Sequence, residues 1–294
     1  YRLAIQRWDE GRLMHAADEF TKAIGLRSDF TEAYLGLAAV EIQQQRWLSA
    51  VEAYTGYLRY ETSERRASAQ RILARLYVEL GNSRMAVRHV AEAVPVYEQA
   101  IVMDPELGLA HANLALALGK VQRFEPAFAS AQRALALASI AAEEALIRRT
   151  IALVYVEQGR EALWQRRNVD AAISALTEAL RYDPASAPAY ADLGLAAVQV
   201  GRLADAVEFS KRALELVGDE DRRHVEVTVS QAYTQKANEE FKDGLLEEAF
   251  HSLEVAARLN ASAPPADVAL GILFFQIGKH ERALTIENAT IEVG

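Results

Sequence analysis

The chain has 294 residues, 51% of them hydrophobic, with 15 Gly and 7 Pro, which suits a large folded body and excludes a loop-rich β protein. Its formal charge is −9 and no basic block interrupts it, which excludes a nucleic-acid surface built on a positive stripe. It holds no cysteine, so disulfides, thiolate metal sites and a cysteine nucleophile are excluded.

Internal repetition organises everything else. The segment "AISALTEALRYDPASAPAYADLGLAAVQVGRLADAVEFSKRALEL" (Ala172 to Leu216) repeats the pattern of "AVPVYEQAIVMDPELGLAHANLALALGKVQRFEPAFASAQRALAL" (Ala93 to Leu137). Each reads as an amphipathic helix, a tight turn, a second helix and a stop. In the stretch Ala187 to Glu220, Tyr190, Leu193, Gly194, Gly201, Ala206 and Ala213 stand at fixed offsets. This set resembles the tetratricopeptide repeat family, with Gly218 standing where that pattern usually has Pro. The small residues let two helices approach closely, and Gly ends a helix.

The resemblance supplies a ruler, the alanine at the twentieth place of the repeat. It falls at Ala16, Ala50, Ala93, Ala127, Ala172, Ala206, Ala249 and Ala283, with gaps of 34, 43, 34, 45, 34, 43 and 34. The resemblance thus implies an all-α, right-handed α-solenoid of eight helix hairpins. In chain order they cover approximately 1–30, 31–64, 65–107, 108–141, 142–186, 187–220, 221–263 and 264–294. The additional residues, 65–73, 142–152 and 221–229, contain neither Gly nor Pro. The expectation is that they lengthen the first helix of repeats three, five and seven by ~14–16 Å. Glu64, Glu143, Glu144, Glu220 and Asp221 near those starts suit the positive end of a helix dipole.

Repeat three admits two registers. "LARLYVELGNSRMAVRHVAEA" places a turn at Gly81-Asn82 and buries Pro95 deep in the second helix. The ruler instead starts the second helix near Ala91, with the turn at Arg88-His89 and Pro95 at its fourth or fifth residue. There a missing N–H costs little, because the first four donors of a helix lack internal partners. The second register is preferred. It also leaves Pro126, Pro188, Pro264 and Pro265 at helix starts and Pro105 and Pro184 at helix ends.

No catalytic residues, cofactor or metal ligands are expected. The six histidines fall at six different repeat places, and neither a phosphate loop nor a nucleophile elbow is present. No apolar run approaches the ~18 residues of a membrane span. The absence of cysteine fits an exported bacterial protein somewhat better than a cytoplasmic one, and 26 Arg against 6 Lys reads as coding bias. The start at Tyr1 reads as an excerpt or a processed form, so the expected compartment stays open between cytoplasm and bacterial envelope.

What remains is surface. In the family, first helices line a concave face and present certain places to partners. Carried over, these are Trp8, Leu35, Ile42, Met85, Leu116, Trp164, Leu195, Val198, Phe241, Ile272 and Phe275. Trp8, Met85, Trp164 and Phe241 stand at the twelfth place. The resemblance implies a non-catalytic scaffold for protein or peptide partners, whose groove suits a helical or extended hydrophobic segment. Two alternatives are a recognition arm of a larger enzyme or regulator, and a homotypic assembly module forming a homo-oligomer. The packing reading, in which the aliphatic residues are buried between neighbouring helices, stands beside both.

Overall fold

The computed structural model describes residues 1–62, 64–165, 167–219 and 222–259, and among them every regular element is a helix. The architecture is an all-α solenoid of helical repeats, and it divides into two compact units within one long helix. The first unit, Tyr1–Thr150, contains α1 (Arg2–Asp9), α2 (Leu13–Leu26), α3 (Thr31–Gln43), α4 (Trp47–Tyr60), α5 (Arg65–Ala86), α6 (Val90–Met103), α7 (Gly108–Lys120) and α8 (Phe124–Leu137), with the start of α9 (Ala141–Trp164). The second unit begins at Ile151 and contains the rest of α9, then α10 (Val169–Tyr182), α11 (Ala187–Gln199), α12 (Leu203–Leu216), α13 (Arg222–Lys242) and α14 (Leu246–Leu259).

The second helices α2, α4, α6, α8, α10, α12 and α14 are all 14 residues long. The ruler alanine is the fourth residue of each: Ala16, Ala50, Ala93, Ala127, Ala172, Ala206 and Ala249. None of these seven exceeds 2% exposure, so the repeat is anchored where a larger side chain has no room. The first helices alternate instead. α3, α7 and α11 have 13 residues, whereas α5, α9 and α13 have 22, 24 and 21. The additional sequence therefore lengthens first helices at their N-terminal ends, as the ruler implies. The eighth alanine, Ala283, and the last repeat lie outside the described residues.

Among the described residues, every hairpin turn contains a residue with positive φ five positions before the ruler alanine: Gly11, Gln45, Arg88, Gln122, Arg167, Gly201 and Gly244. Only three of these are glycine, the residue that occupies this region without a Cβ clash. Arg88 at φ 62 explains why Arg88-His89 looks unsuited to a turn although the chain turns there.

Helix α5 passes through Gly81-Asn82 without a break, because both residues serve packing. A Cβ on Gly81 would lie 2.4 Å from the Tyr97 ring of α6. The Tyr97 hydroxyl donates to Asn82 Oδ1 at 2.9 Å, and Asn113 Nδ2 of α7 donates to the same oxygen at 2.9 Å. Gly159 plays the matching part in the second unit, where an added Cβ would lie 2.7 Å from Leu176.

Helix α6 begins at Val90 rather than near Ala91, so Pro95 is its sixth residue, inside the helix. The carbonyl of Ala91 then lacks the donor it would take from position 95. Ala91 and Pro95 are both exposed, so water can serve that carbonyl. The other described prolines stand as expected. Pro126 and Pro188 sit in first turns, while Pro105 and Pro184 follow α6 and α10. At both ends the preceding aspartate is extended, as a residue before proline must be, and its carboxylate accepts a backbone N–H two residues on.

Candidate functional site

The turn geometry assigns the twelfth-place residues directly. In every described turn except that of the fifth repeat, the N–H of the positive-φ residue donates to the carbonyl three residues earlier: Gly11 to Trp8, Gln45 to Ile42, Arg88 to Met85, Gln122 to Gly119, Gly201 to Val198 and Gly244 to Phe241, all at 2.8–3.1 Å. The residue after each turns back five residues, as His89 does to Arg84 at 2.9 Å. The fifth repeat differs. Asn168 reaches back six residues to Ala162 at 2.9 Å, so its turn holds one additional residue. Leu163 therefore takes the twelfth place and Trp164 the thirteenth, one position beyond expectation. Leu163 is 3% exposed and Trp164 is 54% exposed.

The expected contact residues separate into packed and open ones. In the first unit Trp8 is half-buried, with its indole N–H donating to Gln43 Oε1 at 3.0 Å and its ring edge-on to Phe20. Ile42 is half-buried against a core that includes Tyr54 and Tyr57. Met85 and Leu116 are half-buried, and Leu35 is exposed. In the second unit Leu195 and Val198 are buried among Ala197, Ala206 and Ala232. Both pack the core: Leu195 is fully buried, and Val198, at 4% exposure, shows only an edge. The physical reason is visible in α11, which lacks a polar face and buries every residue from Ala191 to Val198. Ile272 and Phe275 lie outside the described residues.

The structure gathers Phe241 and the edge of Val198 around one groove of about 870 Å³ in the second unit. Val169 and Leu203 complete its apolar part, while Gln235, Asn238, Lys242 and Asp243 form a polar border. Phe241 is 38% exposed, and Lys242 Nζ is tied to Glu239 Oε1 at 2.7 Å. The border therefore offers amide and carboxylate groups more readily than a free cation.

Among the described residues, the buried carboxylates Glu41, Asp192 and Glu240 are each paired with a cation. Arg46 forms a two-pronged ion pair with the buried carboxylate of Glu41, and Lys236 bridges Glu240 and Ser252. Arg160 of α9 donates to Asp192 of α11 at 2.7 Å, contacts the His224 ring of α13, and has Glu157 at 3.6 Å. Burial drives the Asp192 carboxyl up to about 6, with Glu157 adding to the rise and Arg160 opposing both. This pair went unmarked in the sequence, since an Asp on a helix ordinarily reads as solvated. Among the described residues no group of His, Cys, Asp and Glu could hold a metal ion, and no helix is long and apolar enough to cross a membrane.

A family model described as tetratricopeptide repeat matches residues 1–63, 78–142 and 156–221. No curated protein matches the chain. Among solved structures, the C-terminal part of a TPR repeat-containing protein from Cytophaga hutchinsonii is similar, with TM-score 0.55 and 13% identity over 92% of this chain and 98% of that one. PilF of Pseudomonas aeruginosa gives TM-score 0.49 and 19% identity, covering 75% of this chain and 91% of that one. YrrB, described as a TPR protein with an unusual peptide-binding site, gives TM-score 0.43 and 22% identity, covering 69% and 94%.

Proposed function

The chain belongs to the tetratricopeptide repeat family, and from that premise we propose that it is a non-catalytic scaffold that takes a helical or extended apolar segment of a partner protein. Tetratricopeptide repeat proteins generally mediate protein–protein interactions through a fold that is typically non-catalytic. The observation that carries the reading is the groove beside Phe241, with a large aromatic side chain left open over an apolar floor. Aromatic residues in such positions are common anchors of binding energy. Covering one side chain of that size contributes ~1.5–3 kcal/mol before association costs, so a few anchors give usable affinity. Trp164 is the second candidate anchor, and Trp8, Leu35, Ile42, Met85 and Leu116 are auxiliary contacts through their open edges.

The test is selection of binders from a random peptide library on the immobilised chain, followed by titration of Phe241→Ala and Trp164→Ala. We expect Phe241→Ala to weaken selected binders by about tenfold, with helicity unchanged by circular dichroism. Undiminished affinity in both variants rules out these anchors.

A further inference from the structure

The lengthened start of α9 forms one wall of a pocket in the first unit. It encloses about 540 Å³, and its apolar lining includes Val78 of α5, Leu109 and Ala112 of α7, Leu137 of α8, and Leu146 and Ile147 of α9. Leu146 and Ile147 fall within the additional residues 142–152, so a first helix of ordinary length would leave this wall missing. Leu109 is 46% exposed and Leu146 55%, two large aliphatic side chains open in one concavity. Concave apolar sites of this size are where ligand segments seat.

The charges around the pocket select its occupant. Glu79, Glu106 and Glu143 line it together with one cation, Arg75. Glu143 accepts hydrogen bonds from the Ser139 amide and hydroxyl, which hold its carboxyl below the ordinary range. Glu79 and Glu106 are both exposed at the pocket. An apolar floor under an excess of carboxylates complements apolar side chains flanked by cations. It is a poor match for a second copy of this chain, whose charge is −9.

We propose that this pocket docks a short amphipathic segment of a partner protein in which large apolar side chains are flanked by lysine or arginine. The proposal rests on the partner-binding reading and places a second contact apart from the Phe241 groove. The additional turns of α9 are then a specificity device: they supply the Leu146 wall and the Glu143 charge together.

The probes are two fluorescent synthetic peptides of about four helical turns, identical in leucine and alanine, one carrying lysine and the other glutamate. Anisotropy titration of the whole chain should show the lysine peptide binding about tenfold tighter or more, with the preference shrinking at high salt. Leu109→Asp with Leu146→Asp should lose about tenfold in affinity, and Glu79→Lys with Glu106→Lys should abolish the preference for lysine. An equal swap at exposed sites elsewhere, Glu98→Lys with Glu208→Lys, should leave it intact. Helicity by circular dichroism verifies that each variant folds. The proposal is overturned if the lysine peptide does not bind, if the pocket variants bind like the parent chain, or if the remote swap acts equally. Loss of peptide binding in Phe241→Ala alone would place the probe in the other groove. That outcome overturns the pocket assignment while leaving the scaffold reading in force.

Discussion

The Tyr97 ring stands where a side chain on Gly81 would have to go, with the nearest ring atom 2.4 Å from the position of an added Cβ. Gly81 is therefore required for close approach of α5 and α6 in mid-helix, where its turn propensity is irrelevant. Gly81→Ala should destabilise the chain by about 1–3 kcal/mol through forced displacement of the ring. Tyr97→Phe should cost about 1 kcal/mol by leaving Asn82 with one donor fewer. Urea unfolding of both variants checks the order.

The positive-φ positions give the opposite sign. Gln45, Arg88 and Gln122 are exposed non-glycine residues in a left-handed conformation. Replacing any of them by Gly should raise stability by about 0.5–1 kcal/mol, as relief of backbone strain exceeds the added chain entropy. Gly201→Ala is the mirror experiment. An added Cβ there meets nothing within 4 Å, so its expected loss of about 1 kcal/mol is purely conformational. Thermal melts of the four variants should split into two groups about the parent.

Pro95 occupies the sixth residue of α6 on an exposed face. Pro95→Ala should stabilise by about 1–2 kcal/mol, because it restores a donor to the Ala91 carbonyl without disturbing the core. Hydrogen exchange at position 95 and its neighbours reports the restored bond. Unchanged or lower stability would show that the ring has packing value of its own.

Asp192 sets a pH signature. Its folded carboxyl titrates near 6 against an ordinary 3.8, so the folded state holds the proton more tightly than the unfolded chain. Between those values stability falls as pH rises, and the penalty is complete above about 6. The stability of the parent chain relative to Asp192→Asn should thus decline from pH 4 to 6 and level off above it. Arg160, Glu157 and His224 face this carboxyl or its partner, so repeating the comparison in a His224→Gln background isolates the Asp192 contribution. A parent chain that gains on the variant as pH rises through this window would contradict the assignment.

The contact residues should divide by burial. Leu195→Ala is expected to cost about 2–5 kcal/mol and Trp164→Ala less than about 1 kcal/mol, since only the first leaves a cavity. Chemical denaturation separates the two directly.

Helix order, pairing and the lengthened first helices were legible because small residues at fixed spacing report where helices touch. Ala16 and Ala249 obey the same constraint more than two hundred residues apart. The phase of repeat five was not legible. The additional residue in its turn lies in "LWQRRNV", where no glycine or proline marks it, and that single residue exchanges the roles of Leu163 and Trp164. Leu195 and Phe241 were indistinguishable as apolar residues on first helices, although the missing polar face of α11 was a sign that Leu195 is buried. Asp192 could not be recognised, because its partner Arg160 is 32 residues away and the burial that makes the pair matter is a tertiary property.

The described second helices, all of one length and each locked through one small residue, also confine damage. In arrays whose stability is a sum over neighbours, a weakened junction frays the adjoining end before the interior responds. A lesion at Gly36, where an added Cβ would lie 2.4 Å from Phe20, should release α1 and α2 to hydrogen exchange while α5 through α8 keep their protection. The first unit would fail like a zipper opened from one end, and a partner seated farther along could remain bound while it does.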